Sequence, residues 1–186
     1  MRKQQPLGYG NTDFQTILTK YKEKIQSESI VIIGTIEPWI EALVYELEAS
    51  RIVTLDYTRK TWHEKKLEWY HVNDYLEGVL KSRDTEEFTN AATYSSIEHS
   101  GLGRFGDPLN PNGDLDAMKQ VHCMMKPGGL FFLGGLDNYP QEKGEIQFNA
   151  HRIYGTKRLG LLFEGWNVHL NDSKKAQFVL QKEGCN

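Results

Sequence analysis

The run Ser95-Ser96-Ile97-Glu98-His99-Ser100-Gly101-Leu102-Gly103-Arg104-Phe105-Gly106-Asp107-Pro108 sets two carboxylates, an imidazole and a guanidinium on one glycine-rich stretch. Histidine is the side chain poised to exchange protons near neutral pH, so His99 is the candidate general base. Glu98 is its candidate orienter or a cofactor contact. Arg104 can grip an anionic group with two parallel donors, and Asp107 is a candidate substrate contact. Adjacent residues in an extended chain point opposite ways, so Glu98 and His99 need not touch. The alternative is a rigid loop whose charges cap its own turns and the next helix. Glu98, His99 and Asp107 are metal-ligand types, but their spacing matches no standard ligand set, and no metal is expected. A second polar run, Asn149-Ala150-His151-Arg152-Ile153-Tyr154-Gly155, adds His151 and Arg152 as candidate substrate contacts, or as the surface of a helix.

Cofactor chemistry points to the first glycine loop. Ile30-Val31-Ile32-Ile33 is apolar at every position and stops at Gly34-Thr35. A second run, Arg51 to Leu55, ends in Asp56, 22 residues after Gly34. That is close to the roughly 20 expected between a glycine turn and a ribose-binding carboxylate. Only one glycine is present, and Ile36 and Pro38 narrow the approach, which disfavours a pyrophosphate ligand. A phosphate-free nucleoside tolerates fewer glycines. Asp74, Ser95 and Ser96 join Gly34, Thr35 and Asp56 as candidate cofactor contacts. The plainer reading is a tight turn at Gly34, a solvated strand end at Asp56 and an exposed loop carboxylate at Asp74.

These residues need a scaffold. Phe14, Ile17, Leu18, Tyr21 and Ile25 recur at helical spacing, giving an N-terminal helix over about 11–28. The Ile30–Ile33 run reads as a central parallel strand buried on both faces, with Ile32 almost inaccessible. Pro38 suits the first turn of a helix carrying Trp39, Ile40, Leu43, Val44 and Leu47. A short third strand is expected around Tyr70–Val72 and a fourth from Phe88 to Ser95. Asp114 is expected to cap a helix carrying Leu115, Met118, Val121 and Met125, which Lys126-Pro127-Gly128-Gly129 ends. Leu130–Leu133 is the buried fifth strand, His151–Leu162 looks helical, and Trp166–Leu170 with Gln177–Leu180 forms a terminal antiparallel pair. Alternating strands and helices imply a mostly parallel sheet with helices on both faces, strand one lying between strands two and four.

The chain has 186 residues and a formal net charge of -3, enough for one domain, 1–186, with its core over about 30–180. Basic residues are interspersed with acidic ones, so nucleic acid is not an expected partner; a small molecule is. Two cysteines, Cys123 and Cys185, form no Cys-x-x-Cys pair, excluding a zinc or disulfide framework. Cys123 reads as a buried thiol in a helix, Cys185 as exposed, which fits a reducing, cytoplasmic setting. The N-terminal residues are polar and read as no signal peptide, and no stretch approaches the ~20 apolar residues of a membrane span. Oligomeric state is left open.

The pieces Gly34-Thr35 with Pro38-Trp39 and Glu41, Leu55-Asp56-Tyr57, the Ser95–Pro108 run, Asn112-Gly113-Asp114-Leu115, Lys126-Pro127-Gly128-Gly129-Leu130 and Asn149–Gly155 together resemble the domain-of-unknown-function 268 family, which is similar to S-adenosylmethionine-dependent methyltransferases. The resemblance runs from about Ile30 to Val179, and Ser-Ser-Ile-Glu-His-Ser-Gly-Leu-Gly is its most specific part. Thr89 departs from it, standing where an Asp is expected after Phe88. The resemblance implies an α/β, Rossmann-like class I methyltransferase fold with a C-terminal antiparallel strand pair. It implies S-adenosylmethionine as cofactor and a methyltransferase acting on a small polar or sugar-like acceptor. It leaves open a non-catalytic descendant of that fold that binds a ligand or a protein. Relatives can carry an N-terminal membrane anchor; no such segment is read here.

Overall fold

The computed structural model describes residues 12–82 and 88–183. Cys185 and the first residues of the chain lie outside them. The expected N-terminal helix is two, α1 (Thr12–Lys20) and α2 (Lys22–Ile25). The alternation then starts: β1 (Ser29–Ile33), α3 (Trp39–Glu46), β2 (Arg51–Asp56), β3 (Leu67–His71), α4 (Val72–Ser82) and β4 (Phe88–Tyr94). A single 3₁₀ turn (Ile97–His99) opens the long loop before α5 (Gly113–Met124) and β5 (Met125–Gly134). A small hairpin, β6 (Glu145–Ile146) with β7 (Arg152–Ile153), precedes α6 (Thr156–Leu162), and β8 (Trp166–Asp172) and β9 (Gln177–Lys182) close the sheet.

The seven-stranded sheet runs β3-β2-β1-β4-β5-β9-β8. The first five strands are parallel, β9 is antiparallel to β5, and β8 is antiparallel to β9. Strand one therefore lies between β2 and β4, as its uninterrupted apolar run requires. Alternate residues feed two cores. Ile30, Ile32, Ala92 and Phe132 pack with Phe14, Leu18, Ile40 and Val44 on the face of α1 and α3. Val31, Ala91, Phe131 and Leu133 pack with Tyr75, Met118, Val121 and Leu162 on the face of α4, α5 and α6. Ile32 and Leu133 are fully buried, as read from the sequence.

Five local readings are corrected. The helix at Val72–Ser82 was not visible in the pattern. Asp114 does not cap α5: the N-cap position is Asn112, and Asp114 is buried in the first turn, drawn inward by two guanidiniums. His151–Leu162 is not one helix; Arg152 and Ile153 pair with Glu145 and Ile146, and Gly155, extended at φ -84 and ψ 164, separates that strand from α6. Cys123 is exposed, because the buried stripe of α5 is Met118, Val121 and Met124 and position 123 lies off it. Lys126–Gly129 does not terminate the helix from outside but bulges at the start of β5, where Met125 pairs with Phe88 and Leu130 with Asn90.

One polar pair is buried between α3 and β2. Glu41 is 1% exposed; its Oε1 accepts the Thr54 hydroxyl at 2.9 Å, and its Oε2 has no partner. Burial pushes this carboxyl from 4.5 up to about 7, against the opposing pull of its hydrogen bonds and Lys60. A carboxyl raised on folding contributes its stability in the neutral form. That contribution is complete below the ordinary value and is lost as pH climbs through about 7. At 1.36 kcal/mol per pH unit, ionising Glu41 costs the fold on the order of 3 kcal/mol by pH 8. Urea unfolding between pH 5 and 8 should show stability falling, and Glu41→Gln should flatten that part of the fall. An unchanged slope in the variant would contradict the assignment.

Candidate functional site

In a doubly wound sheet the ligand crevice opens beyond the carboxyl ends of the strands, where their order reverses. Here that point lies between β1 and β4. On the β1 side, Gly34 turns at φ +64 and its N–H bonds Leu55 O at 2.9 Å. A Cβ at Gly34 would lie 2.5 Å from Ser96 Oγ, and that hydroxyl donates to Gly34 O at 3.1 Å. The loop after β4 is thereby seated on the loop after β1, and only glycine permits the approach.

Asp56, at the end of β2, ties two more backbone segments. Its Oδ2 accepts Thr35 N–H and its Oδ1 accepts Thr58 N–H, each at 2.7 Å. Each carboxylate oxygen has two lone pairs, so one acceptor position per oxygen is left. The Thr35 hydroxyl closes its own turn onto Glu37 O at 2.6 Å. Asp74 stands exposed in the first turn of α4. The sequence reading passed over Tyr57 and His71, whose rings meet edge to face at 5.5 Å beside Asp56. An aromatic residue directly after the strand-end acid was the available signal.

The β4 side is denser. Ser95 adopts φ +53, and its hydroxyl donates to Glu98 Oε1 at 2.6 Å. The chain tightens into the 3₁₀ turn rather than staying extended, so neighbouring side chains do meet: His99 Nε2 lies 3.6 Å from Glu98 Oε1. His99 Nδ1 donates to Ala150 O at 2.7 Å. The imidazole is also met edge to face by Phe105, at 5.2 Å, and by His151, at 5.8 Å. His151 Nε2 is 3.4 Å from Asp137 Oδ2, and Arg104 reaches Ala150 O at 3.3 Å while lying over the Phe105 ring. Glu98, His99, Arg104 and His151 are thus gathered, together with Asp137, which the sequence reading missed.

The electrostatics of the pair are shaped by burial. Glu98 is 2% exposed, and its Oε2 has no partner. Burial raises its carboxyl to about 7; Ser95 opposes the shift and the Asp137 charge adds to it. His99 is pulled below its ordinary value by burial, against the Ala150 carbonyl, with Arg104 and His151 adding to the fall. A neutral His99 that donates from Nδ1 carries its lone pair on Nε2, facing Glu98. The two groups stand 3.6 Å apart, beyond hydrogen-bond distance, and burial shifts each of them toward its neutral form.

Asp107 and Arg152 act on the loop itself. Asp107 accepts N–H groups from Gly101, Gly103 and Phe105 at 2.7, 3.1 and 3.2 Å, closing the loop's own turns. Arg152, 2% exposed, donates to Glu98 O, Ser100 O, Asn110 O and Pro111 O, pinning both ends of the loop. Gly101 turns at φ +81, and its Cα packs against Gly113, where neither can carry a side chain. Among the described residues no group of three His, Cys, Asp or Glu side chains is placed to hold a metal ion. Likewise, no helix there is long and apolar enough to cross a membrane.

Comparison with known proteins agrees with this architecture. The family described as "Caenorhabditis protein of unknown function, DUF268" matches residues 27–183. No curated protein matches by sequence. Among solved structures, the chain is similar to the Burkholderia thailandensis 1,6-didemethyltoxoflavin-N1-methyltransferase with bound 1,6-didemethyltoxoflavin and S-adenosylhomocysteine, with TM-score 0.65 and 12% identity, covering 92% of this chain and 77% of that one. It is similar to an S-adenosylmethionine dependent methyltransferase from Mesorhizobium loti, with TM-score 0.58 and 12% identity over 89% of this chain and 94% of that one. The cyclase SpnF superposes with TM-score 0.58 at 10% identity, covering 88% of this chain and 60% of that one. At such identities the likeness is one of fold, and the fold hosts more than one reaction.

Proposed function

The chain belongs to the DUF268 family, and from that premise we propose that it binds S-adenosylmethionine at the β1–β4 switch point and methylates a small polar or sugar-like hydroxyl acceptor, with His99 as general base. The observation that carries this reading is the His99 ring. Its Nδ1–H is held by Ala150 O, so the Nε2 lone pair is left beside Glu98 at the carboxyl end of β4.

The residues present fit the cofactor. Asp56 retains one acceptor position on each oxygen, the arrangement needed for two ribose hydroxyls. When bound, S-adenosylmethionine supplies an electrophilic methyl group. Gly34 and Ser96 set the floor of the crevice, and Asp56 fixes the nucleoside end. His99 Nε2 takes the proton from the acceptor hydroxyl as the oxygen attacks, and Glu98, balanced between its two forms near pH 7, offsets the charge that develops on the imidazole. Arg104 and the His151–Asp137 pair orient the acceptor; aligning it removes the entropy that would otherwise oppose an in-line displacement.

The second reading is a non-catalytic descendant that binds a ligand or protein, and one observation favours it. The Asp56 carboxylate already holds the Thr35 amide, the Ser96 hydroxyl already donates to Gly34 O, and that hydroxyl fills the single-glycine cradle. Calorimetric titration with S-adenosylhomocysteine separates the two. Binding is expected, with Asp56→Ala weakening it by about 1–3 kcal/mol, the loss of hydrogen bonds to a charged group. No heat and no thermal shift at millimolar ligand would remove the methyltransferase reading.

A further inference from the structure

The β6–β7 hairpin reverses through Gln147-Phe148-Asn149-Ala150. Ala150 N–H bonds Gln147 O at 3.1 Å, and Gln147 N–H bonds His151 O at 2.9 Å. Asn149 is the third residue of that turn and adopts φ +51. This position accepts glycine or asparagine and resists β-branched residues, because a positive φ drives Cβ against the backbone. The turn delivers a single oxygen, Ala150 O, to the β4 loop, where it accepts from both His99 Nδ1 and Arg104 Nη1. Among the described residues the His99 ring is otherwise met edge to face by Phe105 and His151, and Glu98 Oε1 faces the other nitrogen at 3.6 Å, beyond hydrogen-bond distance.

We infer that Asn149 is a positioning residue: its left-handed backbone aims the Ala150 carbonyl at His99 Nδ1, and that carbonyl holds the proton there and the lone pair on Nε2. In many proton-transferring histidines a carboxylate sets the tautomer in this way. Here a backbone oxygen from a separate hairpin does so, and Glu98 is released to stand on the reacting side. The hairpin consists of only two residue pairs, so the aim of the carbonyl depends on the turn itself. The consequence for proton transfer rests on the function proposed above. The tautomer does not, and it can be read with no cofactor or acceptor present.

The test is long-range nitrogen–proton correlation NMR of the histidine side chains, with His99 assigned by its loss in His99→Gln. In the unliganded wild-type protein His99 should show a protonated Nδ1 and an unprotonated Nε2 across neutral pH. Asn149→Gly, which tolerates the positive φ, should keep that signature. Asn149→Val, checked for folding by its buried methyl resonances, should convert His99 to the Nε2-protonated form or to an exchanging mixture. A wild-type His99 already protonated on Nε2 would overturn the inference without any variant. So would a folded Asn149→Val protein whose His99 signature is unchanged. Either result leaves the ligand titration untouched, so the two readings fail separately.

Discussion

Asp114→Asn is expected to lower the stability of the fold by about 3–5 kcal/mol, the cost of leaving the buried Arg152 and the partly exposed Arg158 without their carboxylate partner. Asp114 is fully buried. Arg158 grips it with two donors, Nη2 to Oδ1 at 2.6 Å and Nε to Oδ2 at 2.8 Å. The Tyr154 hydroxyl donates to Oδ2 at 3.1 Å, and Arg152 Nε lies 3.7 Å away. Burial, and then the Asp114 charge, raise the Tyr154 pKa, so that hydroxyl stays a donor throughout the working pH range. Asparagine keeps the shape and one acceptor but removes the charge, leaving Arg152 buried among carbonyls alone. Because Arg152 also holds Glu98 O and Ser100 O, the loss reaches the loop that carries His99. For a chain of this size each kcal/mol moves the unfolding midpoint by roughly 2–4 °C, so a fall of about 6–20 °C is expected. Asp116→Asn, which loses only a bond from Asn110, is the matched control. A midpoint for Asp114→Asn within about 2 °C of wild type would show that the cluster is not worth what its burial implies.

The sheet was legible from the sequence because its signals are local. Ile30–Ile33 and Leu130–Leu133 are apolar at every position, which only strands covered on both faces require, and all but Ile33, which is partly buried, are buried. The turn at Asn171–Ser173 announced the β8–β9 pair. What stayed hidden depends on distant partners. In α4 the buried anchor in the described part is Tyr75, among Asn73, Asp74 and Gly78, so a helical stripe is barely visible. Asp114 looks like a cap until Arg152 and Arg158 arrive from some forty residues away. The residues of the Ser95–Pro108 run were identifiable by type, but their division of labour was not. Asp107 turns inward to its own loop amides, whereas His99 turns to a carbonyl on the far hairpin, and no spacing rule distinguishes the two.

His99→Ala should lower the rate of methyl transfer by roughly 10²–10⁴-fold, the usual contribution of a positioned general base. Affinity for S-adenosylhomocysteine should stay nearly unchanged, because the proposed cofactor contacts, Gly34, Asp56 and Ser96, do not bond the His99 ring. The same substitution removes the bond to Ala150 O, so a stability loss of about 1–3 kcal/mol is expected alongside. The two effects separate in the pH profile. The base acts in its neutral form, and burial holds the His99 pKa below its ordinary 6.5. In the wild-type protein the acid limb of kcat/KM should therefore fall only below that value, with near-full activity at pH 7. A purely structural histidine would give a variant with the same limb, a modest loss of rate and a lowered unfolding midpoint. The measurement is transfer of a labelled methyl group from S-adenosylmethionine to a hydroxylated small-molecule acceptor that supports turnover, with wild type and variant compared from pH 5 to 9. A variant within about 10-fold of wild type, or one that keeps the acid limb, would end the assignment of His99 as the base.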